Sequence, residues 1–155
     1  MRKPSFSERG GWWVAGQMCL MLAVGVLGWI FHPGNTPLAF LWGGAFLLIL
    51  GAVVGVAGAG ALGRNLTSYP QPPPEARLVQ SGVYARMRHP LYTSVLALAF
   101  GWSLVRISWP AFAASLALAL FLDAKARREE RWLRSRFPEY DAYARRVKRF
   151  IPRVY

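Results

Sequence analysis

Acidic side chains are scarce in this sequence: seven Asp and Glu stand against nineteen Lys and Arg among 155 residues. The resulting formal charge of +12 suits an anionic partner, either nucleic acid or a membrane surface. The basic residues flank uncharged stretches of lipid-spanning length, which argues for the membrane and against nucleic acid. Cysteine is nearly absent. Cys19 stands alone inside an apolar run, so there is no intramolecular disulfide and no cysteine metal cluster. The sequence contains no HExxH, no GxSxG and no phosphate-cradling lysine loop, so it lacks the signatures of those metalloprotease, serine hydrolase and nucleotide chemistries. Gly58-Ala59-Gly60-Ala61-Leu62-Gly63 spells GxGxxG, but it closes an apolar helix instead of following a strand, and the dinucleotide reading fails for want of that context.

What the chain has in quantity is apolar length. Hydrophobic residues make up 54%, seven Trp among them. Residues 12–31 carry no charge and would form about 30 Å of helix, the thickness of the hydrocarbon core. Residues 38–62 are also uncharged and can span with tilt. Residues 91–105 and 109–122 are shorter. Joined by Arg106-Ile107-Ser108, with Pro110 suited to a first helical turn, they predict a helical hairpin whose second arm continues towards Arg134. The first segment follows Arg2, Lys3 and Arg9 as a signal peptide would. Its length and the His32-Pro33-Gly34-Asn35 that follows lead us to expect a retained span. The expectation is an all-α integral membrane fold of four transmembrane helices in one domain. Residues 1–75 hold the N-terminal spans and a connector, and residues 76–155 form a second half.

The basic residues orient the chain. Three precede the first span, four lie from Arg64 to Arg88, eleven follow from Lys125 onward, and only Arg106 falls across from them. The positive-inside rule then predicts both termini in the cytoplasm, the membrane being the inner one if the protein is bacterial. His32 and His89 fall on opposite sides and cannot share a metal. Gly51-x-x-x-Gly55 and its neighbouring glycines allow close helix approach, used within the bundle or in a homodimer through the second span. Pro70 to Pro74 reads as an extended connector. Asn65-Leu66-Thr67 matches a glycosylation sequon on the side where glycosylation does not occur. At the C-terminus, Tyr140, Tyr143, Ala144, Val147 and Ile151 recur at helical spacing opposite a basic face. That pattern predicts an amphipathic cytoplasmic helix at the membrane surface or a lid over a site.

The ionisable residues at the span boundaries carry the functional signal. His89 precedes Pro90, which biases it away from helical geometry just before the third span. Glu129 and Glu130 are adjacent, about 100° apart on a helix, so only one can face the bundle fully. Leu78-Val79-x-Ser81-Gly82-x-Tyr84-x-x-x-Arg88-His89-Pro90-x-Tyr92, then Glu129-Glu130-x-x-Leu133, then Phe137-Pro138-Glu139-Tyr140-x-x-Tyr143 and Ile151-Pro152, resembles the isoprenylcysteine carboxyl methyltransferase family. That family is related to the membrane phospholipid methyltransferases. The resemblance runs from Leu78 to Pro152, and Pro138 departs from the glycine common there.

What the resemblance implies is an S-adenosylmethionine-dependent methyltransferase acting on a membrane-embedded or small hydrophobic acceptor. Its cofactor contacts would be Leu78, Val79, Tyr84, Arg88, His89, Pro90, Tyr92, Glu129 and Glu130. His89 and Glu129 would stand closest to the chemistry, and Lys125 would stand near the acceptor. The acceptor class stays open among a prenylcysteine-like carboxylate, a lipid amine and a thiol. Two other functions compete with it. One is a membrane reductase of sterol-reductase type, which would need a nicotinamide. The other is a non-enzymatic scaffold subunit, which would tolerate loss of His89 and Glu129 together.

Overall fold

A computed structural model describes residues 10–63, 66–67 and 77–155. Arg2, Lys3 and Arg9, the Asn65 of the sequon and the proline-rich connector lie outside those residues. The described chain is helical: α1 (Gly11–Ile30), α2 (Leu38–Leu62), α3 (Pro90–Val105), α4 (Trp109–Arg136) and α5 (Tyr140–Arg146), with a 3-10 turn at Gly82–Ala85. Among the described residues the sole β-type pairing is one parallel bridge between Met87 and Lys148. α1, α2 and α4 are long and apolar enough to cross a bilayer, which makes this an integral membrane protein. α3, with sixteen residues, falls short of a usual span.

Glycine decides how the helices pair. Gly44, Gly51 and Gly58 recur every seventh residue on the buried side of α2. A Cβ on Gly44 would lie 2.7 Å from the carbonyl oxygen of Gly101, and one on Gly51 would lie 3.0 Å from that of Ser94. Ser94 then donates through Oγ to the Gly51 carbonyl at 2.7 Å. Close van der Waals packing with such a bond is how helices associate where lipid removes the hydrophobic drive between them. The Gly51-x-x-x-Gly55 motif is thus covered by α3, because a Cβ on Gly55 would meet Ser94 Oγ at 2.5 Å. α1 packs chiefly on α4, around a core of Val24, Ala99, Leu118 and Leu122.

The turn between α3 and α4 is tied down at one end of the bundle. Ser108 caps α4 by accepting from the Ala111 N–H at 3.3 Å and donates to the Leu27 carbonyl at 3.0 Å. The loop after α1 covers the carbonyls left open at the end of α3: Thr36 Oγ1 donates to Val105 O at 2.9 Å and His32 Nδ1 lies 3.0 Å from Arg106 O. His32 therefore sits at the opposite end of α3 from His89, as the topology expected.

The tail differs from the helix its periodicity predicts. α5 stops at Arg146 and Val147 is already extended. Beyond it the Arg88 N–H donates to Lys148 O at 2.9 Å and the His89 N–H to Arg149 O at 3.0 Å. The backbone N–H groups ahead of α3 have no partner within that helix, and the tail satisfies them in extended form. Tyr140, Tyr143 and Val147 are buried against Leu78, Leu133 and Phe137, whereas Ile151 is exposed.

Candidate active site

His89 is the N-cap residue of α3, and its restricted backbone before Pro90 turns the ring inward, where it is buried. Two turns short of its end, α4 brings Glu129 and Glu130 to the same place. Their roles divide as adjacency on a helix requires. Glu130 has its side chain only 1% exposed, whereas Glu129 keeps 26%.

Glu130 is saturated by its own chain. It accepts from Arg88 Nη2 at 2.9 Å, from Arg149 Nε at 2.9 Å and Nη2 at 3.1 Å, and from His89 Nε2 at 3.2 Å. A carboxylate only accepts, so Nε2 is the donor and Nδ1 of a neutral ring presents its lone pair. That Nδ1 lies 3.8 Å from Glu129. Arg88 also donates through Nη1 to the carbonyls of Ala144 and Val147 at 2.7 and 2.8 Å, locking the end of α5 to the site. Arg149 reaches Asp123 at 2.8 Å with its other nitrogen, and Glu130 and Asp123 together hold its guanidinium protonated far above its ordinary range. The group is a frame of interlocked charges joining α3, α4 and the tail.

Glu129 stands at the open side of that frame. It accepts from Tyr92 Oη at 2.7 Å, and the Tyr92 ring stacks on His89 with centroids 5.2 Å apart and planes 5° apart. The Phe150 ring lies tilted beside the imidazole, with centroids 6.0 Å apart. Tyr84 is buried on the 3-10 turn, and burial, then the Glu129 charge, push its hydroxyl well up from its ordinary value. Tyr143, whose hydroxyl donates to Tyr84 O at 2.7 Å, is pushed up to about 12 by burial. Lys125 is almost fully buried one turn before Glu129. Its Nζ donates to Gln17 Oε1 at 2.6 Å and lies 5.2 Å from the Tyr92 ring centre.

The structure thus draws together Arg88, His89, Tyr92, Lys125, Glu129 and Glu130, with Pro90 buried beneath them and Tyr84 alongside. Leu78 goes to the tyrosine cluster of the tail, and Val79 beside it is half-buried. Sequence reasoning missed Arg149, which it placed only on the basic face of the tail, and Gln17, a lone amide in an otherwise apolar span that could have been noticed. Among the described residues no group of three His, Cys, Asp or Glu is placed to hold a metal ion.

At one end of the helical bundle the described residues thus gather a partly exposed carboxylate, an imidazole and aromatic faces. The chain belongs to the phospholipid methyltransferase family, whose model matches residues 39–140. That family is made up of methyltransferases and is related to the isoprenylcysteine carboxyl methyltransferases. The chain is 44% identical over 78 residues to the cobalt-zinc-cadmium resistance protein CzcN of Cupriavidus metallidurans, covering 50% of this chain and 36% of that protein. It is 42% identical over 79 residues to the nickel-cobalt-cadmium resistance protein NccN of Alcaligenes xylosoxydans xylosoxydans, covering 50% and 37%. It therefore spans little more than a third of the length of these curated relatives.

Proposed function

We propose that this protein transfers a methyl group from S-adenosylmethionine to a membrane-embedded or small hydrophobic acceptor. The observation that carries the reading is the contrast between the two glutamates. Glu130 is consumed by Arg88, His89 and Arg149, while Glu129, held by Tyr92 and partly exposed, has lone pairs to offer. A donor of this kind carries an ammonium and ribose hydroxyls that a carboxylate accepts from, and a sulfonium that favours aromatic faces. Glu129, Tyr84 and the stacked His89–Tyr92 pair fit those needs.

When bound, the cofactor would supply an electrophilic methyl on a sulfonium. The chain's own part is alignment and exclusion of water. Tyr92 fixes Glu129, Glu130 fixes the His89 ring, and Phe150 with the tail covers the imidazole. Lys125, held by Gln17 beside Tyr92, would stand nearest the acceptor's polar head. A carboxylate acceptor needs no base; an amine or thiol gives up a proton, which Nδ1 of neutral His89 can accept. Residues 76–155 supply most of the site, with Gln17 reaching in from the first helix. The relatives' names connect them with metal resistance.

The test is transfer of labelled methyl into lipid extract by purified protein. Label in an organic-soluble product, lost in the Glu129→Gln variant, supports the proposal. No transfer, with oxidation of a nicotinamide instead, overturns it in favour of the reductase, and unaltered cellular function of a His89→Ala, Glu129→Gln double variant points to the scaffold.

A further inference from the structure

In the charge count Arg106 stands alone, because the other eighteen basic residues fall before α1, between α2 and α3, or after residue 124. It is the C-cap of α3, seventeen residues and about 26 Å from His89, and the site at the other end makes no use of it. Its guanidinium carbon lies 5.2 Å from the ring centre of Trp29 and 5.4 Å from that of Trp102. Nε donates to Gly28 O at 3.1 Å, and the terminal nitrogens make no hydrogen bond among the described residues. An arginine packed against two tryptophans at the end of a bundle has the makeup of the aromatic belts that form at headgroup depth.

Directly beside Trp102 runs a cleft of about 220 Å³ between α1 and α3. Met21, Val24 and Gly25 form one wall and Val95, Leu98 and Trp102 the other, and the cleft opens on one side. From Val95 to Trp102 it follows α3 for about 10 Å. Its lining is apolar, with the Trp102 Nε1 tied to Gly25 O at 3.3 Å. An apolar cleft along the helices, with a guanidinium packed against the tryptophan at its end, matches an acyl chain leading up to a phosphate.

We propose that this cleft and Arg106 together bind a phospholipid in the leaflet opposite His89, one acyl chain along the cleft and the phosphodiester on the terminal nitrogens of Arg106. Arginine forks match phosphate oxygens, and the bond strengthens where lipid excludes water. The two tryptophans hold the guanidinium in place before the lipid arrives. This site is separate from the methyl-transfer reading and stands or falls without it.

The experiment is native mass spectrometry of the full chain in detergent, titrated with phosphatidylglycerol, with diacylglycerol of the same chains, and with inorganic phosphate. Wild type should retain phosphatidylglycerol in preference to diacylglycerol. Arg106→Gln should weaken it about tenfold, as loss of one charge-assisted contact does, and Arg106→Lys should recover most of that. A Cβ on Gly25 meets nothing within 4 Å, so Gly25→Leu can fill the cleft without a clash and should weaken binding similarly. Gly43→Leu, equally unobstructed but on α2, should leave it unchanged. Phosphatidylglycerol binding untouched in either Arg106→Gln or Gly25→Leu would overturn the proposal. So would diacylglycerol binding as well as the phospholipid, or phosphate alone displacing the lipid. If Arg106→Gln fails to fold, the Gly25→Leu and Gly43→Leu pair carries the same decision.

Discussion

Two neighbouring glutamates, identical in sequence chemistry, are given opposite tasks by a 100° rotation about one helix. Glu130 faces inward and holds two guanidinium groups and the His89 ring; Glu129 faces the opening and holds one hydroxyl. Removing one partner from a buried charge cluster leaves the others uncompensated, at a cost of about 3–5 kcal/mol. Glu130→Ala should therefore lower thermal stability in detergent sharply, whereas Glu129→Gln should change it by no more than about 0.5 kcal/mol. Equal losses in the two variants would show that the division is wrong. The sequence revealed that only one acid could turn inward, but not which one, because that depends on where Arg149 arrives from the tail. Arg149→Ala should consequently reproduce part of the Glu130→Ala destabilisation, read in the same melts. The pairing of Gln17 with Lys125 joins residues 108 positions apart, and no local pattern could have indicated it.

Among the elements, the spans were legible because apolar length is a strong signal: residues 38–62 were expected and Leu38–Leu62 is observed. The glycine stripe was legible as a close-packing surface, and the structure gives it to α3. A leucine at Gly51 would drive into the Ser94 carbonyl and Leu98, so Gly51→Leu should abolish the folded bundle, while Gly43→Leu should be nearly neutral. Tryptophan emission and melting in detergent distinguish them. The tail was misread beyond Arg146, since helical periodicity in Tyr140, Tyr143 and Val147 is compatible with a short helix followed by a strand-like bridge. What settles the matter is the demand of the Arg88 and His89 N–H groups for acceptors. Ending the chain after Arg146 removes those acceptors together with Phe150 and Arg149. The prediction is loss of methyl transfer with α1 and α2 still inserted, checked by protease protection in membranes.

For the whole molecule, the charge count and the helix order agree on an architecture in which the histidine–glutamate site and Arg106 occupy opposite ends. Alkaline phosphatase fused at either terminus should stay inactive in bacteria, and the same enzyme inserted after Gly34 should be active; the reverse pattern would invert the topology. Composition alone could place the protein in a membrane, but the candidate site was legible only through the order and spacing of the RHPxY and glutamate motifs. The central claim is that Glu129 and the His89–Tyr92 stack hold the methyl donor. Calorimetric titration of S-adenosylhomocysteine into purified protein tests it most directly. Saturable heat for wild type, weakened at least about tenfold in Glu129→Gln with its melting point retained, is the predicted result. An affinity unchanged by that substitution, or no heat from the folded wild type, would contradict it.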